Sequence, residues 1–185
     1  MREKENTKSD YYVEQLCYAI RRGDDPVMTD LVVRMSVTDL NTGNVCGGRP
    51  LNWACGRYNN QLAATAILGR QGVDVNVRDG DGFTPLMLAV DCCNVEIVEL
   101  LLSKGAEMGD GLEELLMGRG RRRSHLQQRS EIMRLLTTER RKREIKEEMI
   151  QKKEQRIAGR EGKESGVQKE IWETTNCYSI NCTFR

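Results

Sequence analysis

The sequence predicts an all-α solenoid, a row of short helix pairs stacked side by side. Three observations predict it. Shifting the chain by 35 residues superposes Leu16, Leu51 and Leu86, and also Ala19, Ala54 and Ala89. Each of these segments is followed by a second apolar stretch: LVVRM at 31–35, LAATAIL at 62–68 and VEIVELLL at 95–102. Short tails then recur, VTDLN at 37–41, GVDVN at 72–76 and GAEMG at 105–109. A fixed register held through three units is the mark of a repeat architecture, in which no unit buries its apolar face alone.

The elements follow in chain order. Residues 1–11, MREKENTKSDY, are polar and lack the apolar segment of a secretory signal, so they read as a flexible start. The first unit, 12–43, is a divergent cap built on LCYAIRRGD. The second, 44–78, places Pro50 at the first helical position but offers Arg49 where a capping hydroxyl would stand. It also carries about two extra residues around Tyr58 and Asn59. The third, 79–110, is the clearest. Asp81-Gly82 is a turn, Thr84 is an N-cap, Pro85 opens the helix, and Leu86, Ala89 and Val90 share one face. Gly72 and Gly105 sit where a helix end calls for a left-handed residue, and an extended stretch then leads into the next unit. A degenerate cap, 111–137, is read from GLEELLMG and SEIMRLL, with a basic loop at 118–129 between them. Residues 138–158 are rich in Glu, Lys and Arg, with opposite charges four apart at Glu139–Arg143, Arg140–Glu144, Arg143–Glu147 and Glu148–Lys152. This reads as a solvated helix; Ile145, Met149 and Ile157 offer a thin apolar line, interrupted at 137–144, and a coiled-coil dimer is the lesser alternative. The remainder, 159–185, reads as a disordered tail.

The stretch DGDGFTPLMLAVDCCNVEIVELLLSKGAEMG at 79–109 closely resembles an ankyrin repeat, through G-x-TPL, A-V, EIVELLL and the KGA ending. The resemblance covers about 12–137 and implies helix–turn–helix units joined by β-hairpin-like turns. Three departures stand out in the third unit. Met87 replaces the His after TPL, so the family's hydrogen bond from helix to turn is absent at that position. Cys93-Asn94 replaces Gly-His between the helices, and Gly109 replaces the closing Asn.

Bulk properties narrow the function. The 185 residues hold 29 Lys+Arg, 28 Asp+Glu, nine aromatics (two Trp, five Tyr, two Phe) and a single His. No apolar run approaches membrane length. Without a signal segment the seven cysteines are expected to be reduced thiols in an intracellular protein, cytoplasmic, with the nucleus as alternative. Charge is uneven: 119–160 holds 15 basic against 6 acidic residues, whereas 79–114 holds nine acidic residues and one Lys. Catalysis has little to work with, since any Cys–His or Ser–His pair must use His125 in the basic stretch. Cys92-Cys93, Cys177 and Cys182 lack the spacing of a zinc site, so neither a metal nor a cofactor is expected.

The resemblance implies a non-catalytic protein-binding module, monomeric, acting as adaptor or scaffold through its turns and the exposed side of the first helices. Carried over by position, the partner-binding candidates are Asp81, Phe83, Asp91 and Cys92 in the third unit. In the second they are Val45, Arg57 and Tyr58, with Arg78 at the junction. Phe83 reads equally as turn packing, and Trp53 is assigned to the core between helices. The basic segment offers Arg121, Arg122 and Arg123, then Arg140, Arg141, Lys142 and Arg143. Its plain reading is a polar loop and a solvated helix. The alternative is a nuclear regulator in which these residues contact nucleic-acid phosphates or form an import signal.

Overall fold

A computed structural model describes the backbone of residues 8–44, 47–56, 60–117 and 125–180, with side chains placed as far as 157. All regular structure among the described residues is helical: α1 (Lys8–Arg22), α2 (Asp25–Arg34), α3 (Val37–Asn41), α4 (Pro50–Cys55), α5 (Gln61–Leu68), α6 (Pro85–Asp91), α7 (Val95–Ser103), α8 (Leu112–Met117) and α9 (Leu126–Ile180). The chain divides into two compact units, Met1–Glu139 and Arg140–Arg185.

The first unit is a two-layer stack. One layer runs α1, α4, α6, α8 and the other α2, α5, α7, each helix packing on its pair-mate and on its successor in the row. The residues that coincide in the sequence register form the spine: Leu16, Leu51, Leu86, Ala19, Ala54 and Ala89 are all buried. Ile97, Val98 and Leu101 fill the space between layers in the third unit, and Leu112, Leu116, Ile132 and Leu136 close the far end. The segment 111–137 therefore contributes to the same core although its repeat pattern is weak.

Local chemistry accounts for the helix ends. Thr84 Oγ1 accepts the amide of Met87 at 3.2 Å, Pro85 follows at the first helical position, and Asn94 Oδ1 accepts the Ile97 amide at 3.1 Å. Gly105 has φ +86°, and the Ala106 amide returns 3.0 Å to Leu101 O, satisfying an orphan carbonyl of α7. Gly72 has the same φ of +86° in the second unit. Between α1 and α2 the chain turns through Gly23 at φ +71°, and between α6 and α7 through Cys93 at φ +55°. These residues coincide after two shifts of 35, so one backbone turn is made by a glycine in one unit and a strained cysteine in the other.

Asn41 and Asn76, equivalent in the register, clasp neighbouring tails. Asn41 Nδ2 donates to Gly72 O at 3.0 Å and its Oδ1 accepts the Asp74 amide at 2.9 Å. Asn76 Oδ1 accepts the Glu107 amide at 2.8 Å. Gly109, where the next clasp would fall, has no side chain, and a Cβ there would lie 3.5 Å from Met87 Cε.

Several expectations are corrected. α1 begins at Lys8, so residues 8–11 belong to a helix, and Ser9 donates a hydrogen bond to Asp39. VTDLN at 37–41, expected to be extended, forms α3, because Ser36 caps it and Asp39 reciprocates in a capping box. The equivalent GVDVN has Gly72 in place of Val37 and no Ser36 counterpart. Of the two extra residues in the second unit, one lies between its helices. Pro50 to Asn60 is ten positions, against nine from Pro85 to Asn94. The other lies farther on, since Asn60 to Asn76 is 16 positions and Asn94 to Gly109 is 15. The expected basic loop is shorter than 118–129, for α9 opens at Leu126; residues 118–124 lie outside the described residues.

In the second compact unit, helical backbone continues to Ile180, across most of the segment expected to be a disordered tail. Its Lys, Glu and Gln content favours helix, and single glycines such as Gly162 and Gly166 weaken a helix by only about 1 kcal/mol each. Lys152 and Glu148 pair at 3.8 Å, one of the expected four-apart contacts, on side chains that remain mostly exposed.

Candidate recognition surface

Two loops with the same construction stand side by side at the start of α4 and of α6. In the one at 79–83, the Asp79 amide donates to Phe83 O at 3.1 Å and Gly82 N donates to Asp79 O at 3.1 Å. Asp79 Oδ1 accepts both the Asp81 amide at 3.1 Å and the Phe83 amide at 2.8 Å. In the loop preceding α4, Asn44 takes the role of Asp79: its amide donates to Gly48 O, and its Oδ1 accepts the Gly48 amide, both at 2.8 Å. An acidic or amide side chain that bonds its own backbone holds such a turn rigid without a neighbour.

The two loops are then tied to each other. Gly80 N donates to Gly47 O at 3.2 Å; Gly47 has φ +80°, and a Cβ there would lie 3.2 Å from Gly80 Cα. Arg49 Nε donates to Arg78 O at 3.2 Å while its Nη1 donates to Asn41 O at 2.6 Å. Asn52 Nδ2 donates to Phe83 O at 2.7 Å. Asn52 occupies in the second unit the register position of Met87 in the third. The helix-to-turn hydrogen bond missing at Met87 is thus made one unit earlier by an amide.

Between these loops and the first helices lies a pocket of about 420 Å³. The second unit lines it with Gly48, Asn52, Trp53 and Gly56, and the third with Asp79, Gly80, Asp81 and Leu88. The indole of Trp53 is half-buried, and a Cβ on Gly48 would fall 2.3 Å from its Nε1. Only glycine at 48 admits the ring in this position. Asn52 is 3% exposed, and its buried Oδ1 has no hydrogen-bond partner among the described residues.

The sequence candidates separate into three groups. Arg78, Asp81 and Phe83 are brought together on one exposed loop, with Arg78 Nη1 donating to Gly82 O at 3.0 Å and Phe83 38% exposed. Asp91 and Cys92 lie at the other end of α6. Asp91 is half-buried, whereas Cys92, expected to face a partner, is buried at the helix C-cap close to Cys55. Burial, with Cys92 adding to it, pushes the Cys55 thiol up; burial, then the nearby Glu14, pushes Cys17 up to about 12. These thiols stay protonated and act as small core groups. Val45, Arg57, Tyr58, Arg121, Arg122 and Arg123 lie outside the described residues. Arg140, Arg141, Lys142 and Arg143 lie on α9 in the second compact unit; the first three are exposed and Arg143 is half-buried.

Trp53, assigned to the core, packs against it half-buried and also lines the pocket; sequence reasoning missed Asn52 and Leu88 there. Gly48 carried a signal: a small residue 35 positions before Phe83, ahead of an Arg-Pro-Leu helix start, leaves room for a bulky neighbour. The size of the cleft depends on two separate loops and had no linear signature.

A model of ankyrin repeats in three copies matches residues 16–110, about half of the chain. The chain belongs to the ankyrin repeat family. Ankyrin repeats are generally protein–protein interaction modules. Among curated proteins, a stretch of 52 residues is 36% identical to part of Delta-latroinsectotoxin-Lt1a of Latrodectus tredecimguttatus. That match covers 28% of this chain and 4% of the toxin's length. No helix among the described residues of this ankyrin repeat protein is long and apolar enough to cross a membrane.

Proposed function

We propose that the protein is a non-catalytic intracellular adaptor that binds a partner protein across the paired loops and the adjoining first helices. The observation that carries this reading is the rigid pair of loops that presents Arg78, Asp81 and Phe83 beside the Trp53 pocket. A preorganised surface loses little conformational entropy on binding, and Trp, Arg and aromatic side chains dominate interface energetics. Asn44 and Asp79 already hold the Gly48, Asp81 and Phe83 amides, so exposed side chains are free to vary with the partner while the scaffold stays constant.

The test is affinity capture from cell extract with the full chain, with and without nuclease, against a double variant Arg78→Ala, Phe83→Ala. The proposal expects nuclease-resistant partners that the double variant loses. Capture that vanishes with nuclease and requires Arg140, Arg141, Lys142 and Arg143 would replace it with the nucleic-acid reading.

A further inference from the structure

We infer that the pocket between the two loops receives an arginine side chain from an extended segment of the partner protein. The inference rests on the protein-binding reading above and adds to it the chemistry of the bound group.

The walls make complementary demands. Trp53 and Leu88 supply an indole and an aliphatic surface, both half-buried. Asp79 and Asp81 add two acidic residues to the same lining, and Asp81 is exposed. Asn52 contributes a second kind of signal, a buried acceptor with no donor among the described residues, on a side chain whose Nδ2 is already committed to Phe83 O. Among the described residues the lining therefore carries no cation and leaves one buried acceptor unpaired. The stretch that supplies the third-unit side of the lining is acidic, for residues 79–114 carry nine acidic side chains and one Lys. Arg78, at the edge of the same loop, turns its Nη1 to Gly82 O and is not part of the lining.

A guanidinium meets all of these demands at once. Its flat face stacks on an indole, its edge presents five donors in a fixed fork, and it keeps its charge when partly desolvated. A lysine ammonium is a compact, strongly hydrated point charge and cannot stack in the same way. The volume of about 420 Å³ is enough for one long side chain and part of its backbone. The loop bonds of Asp79 fix its carboxylate before any ligand arrives, so the electrostatic field is preorganised.

The experiment uses the full chain and an array of nonapeptides, each with one central arginine and varied flanks. The best binders are remade with citrulline, which keeps the shape and removes the charge, and with lysine, and are titrated by fluorescence polarisation. The expected result is at least about a tenfold loss with citrulline, and a clear loss with lysine. Asp81→Asn, on an exposed side chain, is expected to weaken the arginine peptide by a similar factor, and Trp53→Leu by more. Circular dichroism of each variant confirms that the helices are retained. Equal binding of the citrulline peptide, no arginine binder in the array, or indifference to Asp81→Asn would overturn the inference. So would exclusive binding of a peptide spanning 117–129 of this chain, which would assign the pocket to a self-contact. If the chain with Asp81→Asn and Trp53→Leu still captures partners that Arg78→Ala, Phe83→Ala loses, the arginine pocket falls and the protein-binding reading stands.

Discussion

The second and third repeats do the same structural work with different groups. The third is self-contained. Thr84 caps its own helix and Asp79 closes its own loop. The second has Arg49 at the cap position, with no side-chain bond to the helix. Its polar side chains reach out instead, Asn52 to Phe83 O of the third unit and Arg49 to Asn41 O of the first and to Arg78 O at its own end. The difference teaches that a repeat is defined by what its backbone needs and by where its apolar positions fall. The donors that meet those needs can come from the unit itself or from the one before it. A unit that exports its hydrogen bonds is also coupled more tightly to its neighbour, and here that coupling aligns the two loops that frame the pocket.

The comparison can be broken most strongly in the shared core. Leu51→Ala and Leu86→Ala remove equivalent, almost fully buried side chains and should each cost about 3 kcal/mol in urea unfolding. Markedly unequal losses would show that the two units do not share one cooperative core. A smaller effect sharpens the contrast at the caps. Thr84→Ala should cost about 1 kcal/mol, whereas Arg49→Thr exchanges the bonds to Asn41 O and Arg78 O for a cap and should stay within about 0.5 kcal/mol of zero. A loss at Arg49→Thr as large as that at Thr84→Ala would mean that the exported bonds outweigh a cap. At the inter-helix turn, Cys93→Gly should stabilise by about 0.5 kcal/mol, because φ +55° is unstrained only for glycine, as Gly23 already shows in the first unit. A destabilised Cys93→Gly protein would show instead that packing of the buried thiol matters more than the turn.

The smallest effect lies in the first unit. Hydrogen bonds from Ser9, and secondarily from Ser36, hold the Asp39 carboxyl below its ordinary value of 3.8. A lowered folded-state pKa stabilises the protein above the unfolded value and ceases to do so as pH falls through the folded one. Ser9→Ala should therefore lower the melting temperature slightly at neutral pH, with the difference from the parent vanishing in strong acid. A difference that persists in acid would assign the effect to packing of α1 rather than to the carboxylate.

Much of the scaffold was legible because it depends on short-range rules. The register of Leu16, Leu51 and Leu86, the N-terminal prolines of α4 and α6, the Thr84 cap and the left-handed Gly72 and Gly105 are each set within a few residues. The length of α9 was underestimated because composition was read as disorder where the same Glu, Lys and Gln residues favour helix. α3 was overlooked because repeat register was trusted over a local capping box. Cys92 was placed on the surface by analogy of position, and burial at the C-cap beside Cys55 removes it.

The sequence by itself determined the repeat, the starts of α4 and α6 and the spine of the core, since periodicity and capping act between residues close in the chain. Only the tertiary structure decided which polar groups cross between units and where the pocket opens. Asn52 and Phe83 are 31 residues apart, and Gly48 and Asp79 are as distant, so their meeting depends on how one repeat settles on the next. The stacking energy is mainly apolar and non-directional. It brings the loops together, and the hydrogen bonds that then become reachable shape the pocket.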